Sequence, residues 1–428
     1  MNVNEIKYLI EGMLNKFTNK KGVISSTYPP TNAIIACDLD DVVPYIKYFG
    51  YEAVVENQID LILDNYGLWQ FKNSRDIVLW RYDEWIGALL VCNSKRSIQA
   101  ANSLLKDILI KCGNQDYLNF CYDIKRNKSP LAYFSPRSYG IFETIFENQK
   151  KIDPKLLLEY KNIFIKTLAM IHNCNALPML NKTGMKIISK KMRVWALNGY
   201  YQSVGFKRFL KLAIVNFSDY RFVKVMKDNT NFLFSLLEFM KMNSNNRENY
   251  KVFYRSILLE LSSDVPVTTF HIRNGEYTVC QSTAIIDNIC DYLFFVEYDE
   301  ELVLRVKKIA DYYISIFDEK SYLTRNHTSD LVHVDECMDF SIALKRISEV
   351  CQEEKYLNYA KKIFETTKVH LDLSNHVVFT YYNIKTGERS RIDPKYCFLY
   401  LKGLIVFEVA IDESLFGDSP LYALAKDR

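Results

Sequence analysis

Short and long links alternate between amphipathic helices along nearly the whole chain, and this constrains the fold more than any other feature. The helical signal is the recurrence of apolar residues at i, i+3 and i+4, as in Ile6, Leu9, Ile10, Met13 and Leu14. A helix is expected from Asp38 to Phe49, closed by Gly50, with a second from Glu52 to Leu63. The design recurs as Tyr82–Cys92 with Lys95–Ile110, Ser138–Asn148 with Pro154–Ile171, Thr283–Val296 with Glu300–Phe317, and Asp335–Val350 with Lys355–Thr367. Asp153 and Pro154 form an N-cap and first-turn pair, and a last apolar helix runs from Pro394 to Val409. Turns of about two to five residues within a pair force antiparallel neighbours. Links of roughly fifteen to twenty-five residues between pairs carry turn and strand signals, such as Gly22–Thr31, Gly67–Ser74, Phe134–Arg137 and Val267–Val279. Such a chain stacks helical hairpins.

The first helix of each pair is the more apolar one, as in RYDEWIGALLVC and TAIIDNICDYLFFV. A helix apolar on all sides is a buried helix. The expected fold is therefore all-α: an (α/α)6-7 toroid with the apolar helices inside, charged helices outside, and short strand-like segments in the long loops. The loops gather over the N-termini of the inner helices, and the N-terminal helix partners the last inner one. Tyr220–Met242 and Glu248–Leu261 read as helices without an assigned pairing, and an open α-solenoid is the alternative. No Pro/Gly/Ser-rich linker or low-complexity tract divides the sequence, so residues 1–428 are expected to form one domain.

Composition narrows the partners. The chain has 428 residues, 49% hydrophobic and 25% charged, as in ordinary globular proteins. Its 55 basic and 51 acidic residues give a net charge of +4, and no basic stripe suggests nucleic acid. No run reaches about 18 apolar residues, so no membrane span is expected. The N-terminus MNVNEIKYLIEGMLNKF lacks the pattern of a secretory signal, and the ten cysteines form no CxxC pair. A reduced, cytoplasmic protein is the expectation. The 30 Tyr and 26 Phe suit a sugar or terpenoid pocket, but they equally accompany the abundant Lys, Asn and Ile of an AT-rich coding sequence.

Three acidic segments could carry chemistry. Asp38, Asp40 and Asp41 cluster at a helix start, where the free N–H groups and the helix dipole favour carboxylates as caps. Crowding would also push one pKa up and leave a protonated acid beside an ionised partner. Arg81, Asp83, Glu84 and Trp85 open the second inner helix and suit a sugar-binding rim, or else a charge-capped turn with a core tryptophan. His333, Asp335 and Glu336 open a later inner helix, where His333 with Asp335 or Asp330 would make a general-base pair. Arg137, Tyr139, Arg193, Trp195 and His271 complete the candidate substrate contacts. The His and carboxylate spacing matches no metal site, and P-loop, GxGxxG, GxSxG and HExxH motifs are missing. No metal and no cofactor are expected.

Residues 335–364, DECMDFSIALKRISEVCQEEKYLNYAKKIF, resemble a hairpin of the (α/α)6 six-hairpin carbohydrate enzymes. These include N-acylglucosamine 2-epimerases, unsaturated glucuronyl hydrolases and many glycoside hydrolases. The resemblance implies a sugar-type pocket at the loop end, taking a small molecule or oligosaccharide, and carries over no catalytic residue. The string DLDD also resembles the DxDD motif of class II terpene cyclases, by which Asp40 would be the proton donor. The leading expectation is a glycoside hydrolase, or less directly an epimerase. One carboxylate would come from Asp38–Asp41 or Asp83/Glu84, and the other from Asp335/Glu336. A terpene cyclase or a non-catalytic helical scaffold are the alternatives.

Overall fold

The computed structural model describes residues 1–34, 39–68, 76–113, 118, 121–123, 140–173, 232–243, 247–263, 279–325 and 329–409. Its helices are α1 (Val3–Phe17), α2 (Val43–Tyr48), α3 (Glu52–Tyr66), α4 (Trp80–Cys92), α5 (Lys95–Cys112), α6 (Gly140–Glu147) and α7 (Pro154–Asn173). The next is α8, residues 232–242. Then follow α9 (Arg247–Ser263), α10 (Val279–Phe295), α11 (Glu300–Lys320), α12 (Val334–Cys351), α13 (Glu354–Thr367) and α14 (Pro394–Phe407).

The even-numbered helices form the inner ring. Helix α2 packs on α4 and α4 on α6, while α10 packs on α12, α12 on α14, and α14 back on α2, which closes the circle. Between α6 and α8 the Glu143 N–H donates to Ser235 Oγ at 3.2 Å, and the rings of Phe146 and Phe239 lie 5.6 Å apart. Lys241 of α8 sits over the Phe295 ring of α10. Each inner helix has an outer partner. Helices α3, α5, α7, α9, α11 and α13 follow their partners in sequence, while α1 packs on α14, with Phe17 against Phe398. Among the described residues the toroid thus has seven inner and seven outer helices.

Local chemistry sets the ends of these helices. A capping box opens α1: Asn2 accepts from the Glu5 N–H while Glu5 accepts from the Asn2 N–H. Ser94 and Asp299 cap α5 and α11. The inner helices pack tightly because small residues admit close contact. A Cβ on Gly403 of α14 would lie 2.5 Å from the Phe364 ring of α13 and 2.9 Å from Met338 of α12. Around the seam of α6, α7 and α8, Phe142, Phe146, Phe164 and Phe239 form one cluster with centroids 5.0–5.9 Å apart. Full burial of each such ring contributes roughly 1.5–3 kcal/mol.

Strands occupy the loops that enter the inner helices. β1 (Asp76–Val78) precedes α4 and pairs antiparallel with β2 (Cys121–Asp123). β3 (Leu331–His333) leads into α12 and pairs with β5 (Val377–Asn383), which also pairs with β4 (Leu371–Asp372) and β6 (Arg389–Ile392). This four-stranded sheet between α13 and α14 was not expected, although Val377, Val378 and Thr380 are buried while Arg389 and Arg391 are exposed. The expected strand segments at residues 134–137 and 267–278 lie outside the described residues. Also differing from expectation, α2 begins at Val43 rather than Asp38. Pro44 has no N–H and takes the first helical turn, and residues 39–42 form the turn before it. Cys92, Cys112, Cys280, Cys290, Cys337, Cys351 and Cys397 are free thiols, and no described helix is long and apolar enough to cross a membrane.

Candidate functional site

The inner helices surround a cavity of about 400 Å³, lined by residues from every one of them. This falls within the roughly 300–1,000 Å³ typical of small-molecule sites. The inner helices are not apolar on all sides, because each of four turns a narrow polar stripe towards the axis at i, i+4 or i, i+7 spacing. On α6 the stripe is Glu143 and Glu147, and on α10 it is Asp287 and Asp291. On α12 it is Asp335, Asp339 and Arg346, and on α14 Lys395 and Lys402. Of these, Glu143, Glu147, Asp287, Asp339, Arg346 and Lys402 border the cavity, together with Asp40 and Tyr45.

Ion pairs run along the α10, α12 and α14 wall. Arg346 donates to Asp287 at 3.0 Å and also to Asp291. Lys402 donates to Asp339 at 2.9 Å, and at the loop end Lys395 pairs with Asp41 at 3.0 Å. Burial works against the charge on Lys402, but Asp339 and its other acidic neighbours outweigh it, so the ammonium stays protonated. Such a lysine cannot act as an amine nucleophile at neutral pH.

The remaining carboxyls are pushed the other way. Burial first, then Asp41, Glu84 and Asp83, hold Asp40 well above the usual carboxylate range. Burial and Asp339 do the same to Asp335, which lies one turn above Asp339. Glu143 is raised by burial and by Glu147. Glu147 is pushed up to about 7 and Asp287 to about 6, in both cases mainly by burial. The cavity therefore sets carboxyls whose ionisation is opposed beside carboxylates held by cations, the contrast that general acid–base chemistry uses. Asp40 takes its position from the turn before α2, where its Oδ1 accepts the Asp41 N–H at 2.9 Å. It also depends on Gly87 of α4, where a Cβ would lie 3.0 Å from the Asp40 Cβ.

The expected site residues divide by location. Asp40, Asp41, Asp83, Glu84 and Asp335 come together electrostatically at the loop end of the ring. Asp83 is buried, and a Cβ on Gly140 would meet its Oδ2 at 2.4 Å, so it packs against the start of α6. Three assignments need correction. Trp85 has no exposed surface, so it is a core residue and cannot stack on a ligand at the rim. Glu336 is held by Arg325 through three hydrogen bonds of 2.9–3.2 Å and does not border the cavity. His333 is the N-cap of α12, its Nδ1 accepting the Glu336 N–H, and its ring lies edge-on to Tyr381 and Tyr396. Burial, then Arg325, lowers its pKa to about 3, far too low for a general base at neutral pH. Asp330, its other suggested partner, pairs with Lys385 at 2.8 Å. Arg81 lies in the first turn of α4. Asp38, Arg137, Tyr139, Arg193, Trp195 and His271 lie outside the described residues.

The polar stripes would have revealed Glu143, Glu147, Asp287, Asp339, Arg346 and Lys402, because charges four or seven residues apart interrupt otherwise apolar inner helices. A sealed aromatic chamber for a terpene is not what these helices build. Among the described residues five carboxyls and two cations line the cavity, and stripping their water for a hydrocarbon would be strongly unfavourable. Among the described residues no cluster of three or more His, Cys, Asp or Glu could hold a metal ion.

No family model and no curated protein sequence matches the chain significantly. Among solved structures it is similar to a D-mannose isomerase, with TM-score 0.48, 9% identity, and coverage of 77% of this chain and 86% of the other. It is also similar to an α-amylase from Clostridium perfringens, with TM-score 0.45, 12% identity, and coverage of 94% and 96%. A sugar epimerase from a ruminal bacterium gives TM-score 0.49, 11% identity, and coverage of 96% and 100%. With TM-scores below 0.5, none of these likenesses bears on what this chain acts upon.

Proposed function

We propose that this chain is a carbohydrate-processing enzyme that works in the lumen of its toroid, with Asp40 as general acid and Asp339 as its carboxylate partner. The observation that carries the reading is that Asp40, whose ionisation burial and neighbouring acids oppose, and the ion-paired Asp339 line the same cavity. The pocket is polar, as a polyol requires, and Tyr45 supplies an aromatic face for a sugar ring. In glycoside hydrolysis the Asp40 proton goes to the leaving glycosidic oxygen as its bond to the anomeric carbon breaks. Water adds to that carbon and gives its proton to Asp339. Lys402 orients Asp339 through a hydrogen bond of 2.9 Å. The resemblance of residues 335–364 to the six-hairpin carbohydrate enzymes supports the same reading. Isomerisation would use the same pair to move a proton between adjacent sugar carbons, and epimerisation to take a proton from one face of a carbon and return one to the other.

The test is a panel of aldoses, ketoses, disaccharides and short oligosaccharides followed by proton NMR with the wild type and Asp339→Asn. Hydrolysis appears as new anomeric signals from released reducing ends. Isomerisation or epimerisation appears as interconversion at constant sugar number. The expected result is turnover of at least one sugar, reduced about 10²–10⁴-fold by the substitution. A variant as active as the wild type would remove Asp339 from the reaction, and inertness towards the whole panel would remove the carbohydrate reading.

A further inference from the structure

The two walls of the cavity differ in charge balance. On the α10, α12 and α14 side, Asp287, Asp291 and Asp339 are each paired with Arg346 or Lys402. On the α6 side, the side chains of Glu143 and Glu147 border the same cavity one helical turn apart, and neither has a hydrogen-bond or ion-pair partner among the described residues. The nearby cation Lys241 is held by Glu238 at 2.6 Å and reaches Glu147 only through space. Two acceptor side chains facing one open volume, opposite a wall whose carboxylates are already ion-paired, form a receptor for a positive group. We propose that this α6 wall binds an ammonium group of the ligand, so that the substrate is an amine-bearing sugar rather than a neutral one. This rests on reading the lumen as the sugar site.

An ammonium suits the geometry better than a metal ion. Its three N–H donors match carboxyl oxygens presented one turn apart, whereas no metal-holding cluster occurs among the described residues. Burial, then the charge of Glu238, raises the Glu147 carboxyl to about 7, which is consistent with the same conclusion. At neutral pH a proton occupies the place that a bound cation would take, so binding a protonated amine should expel it.

The experiment is isothermal titration of the full-length protein with glucosamine, N-acetylglucosamine, glucose and the sugar-free amine 2-amino-1,3-propanediol, in two buffers of different ionisation enthalpy. The expected result is that glucosamine binds at least about ten-fold more tightly than either neutral sugar, with proton release at pH 7. Glu143→Gln should abolish that preference, and Glu147→Gln should remove the proton release. Both variants would first be checked for wild-type circular dichroism. If glucosamine gains no advantage, or keeps it in both variants, the ammonium site is overturned while the carbohydrate reading stands. If only the sugar-free amine binds, in a manner sensitive to Glu143→Gln, the ammonium site holds and the carbohydrate reading falls. Absence of binding by all four ligands would overturn both.

Discussion

At Asp40, burial and the carboxyls of Asp41, Glu84 and Asp83 all oppose ionisation. The folded pKa lies above the unfolded value near 4, so ionising the group costs folding energy once the pH exceeds that value. Asp40→Asn keeps the shape and the acceptor for the Asp41 N–H but has nothing to ionise. The variant should melt higher than the wild type at pH 7.5, with a smaller gain at pH 5, while turnover falls about 10²–10⁴-fold. Thermal melts at the two pH values and sugar assays check both halves. His333 makes the converse case. As a cap with a pKa near 3 it does no proton transfer at neutral pH. His333→Asn, which can still cap, should therefore leave turnover within about three-fold of wild type, whereas loss of a general base would cost about 10²-fold or more. Steady-state kinetics on the variant decides between these.

Among the elements, α14 is held most closely, because Gly403 brings it against Phe364 and Met338. Alanine is the better helix former by about 1 kcal/mol, yet its Cβ has no space here. Gly403→Ala should lower stability by about 1–3 kcal/mol, the usual penalty of overpacking, as read by urea denaturation. A stabilised variant would show that the contact gives way easily. Helices of this kind were legible in the sequence because their ends carry strong local signals, such as Gly50 after α2 and Asp153–Pro154 before α7. The pairing of α1 with α14 was legible as well, since a ring leaves its last inner helix without an outer neighbour. The sheet of β3 to β6 was not, because β3, β4 and β6 are short and one edge comes from β3, which lies far away in sequence. The site was partly legible. Acidic starts at Asp40 and Asp335 stand out in any reading, but the face on which Glu336 and Trp85 fall depends on packing. Arg325, which claims Glu336, carries no sequence signal of its role.

At the scale of the whole molecule, the toroid concentrates carboxyls around its axis, and this gives an unusual pH response. Asp40, Asp335 and Glu143 have folded pKa values well above the unfolded range, and Glu147 lies near 7. Such groups bind more protons in the folded state, so they withdraw stability as the pH rises. The buried histidines His333 and His370, lowered to about 3 and about 4, act in the opposite direction. Their contribution is complete above about 6.5 and is lost as the pH falls below it. Between pH 6.5 and 8 these carboxyls withdraw stability, so the melting temperature should fall across that interval, as followed by calorimetry. Asp40→Asn should flatten the decline. The most direct test is infrared difference spectroscopy of wild type against Asp40→Asn at pH 7, read in the carbonyl stretching region. A protonated-carboxyl band present in the wild type, missing in the variant and persisting after exchange into buffer at pH 7.5 is the predicted result. A wild-type spectrum in which Asp40 contributes only carboxylate bands at pH 7 would contradict a general acid held ready in the lumen.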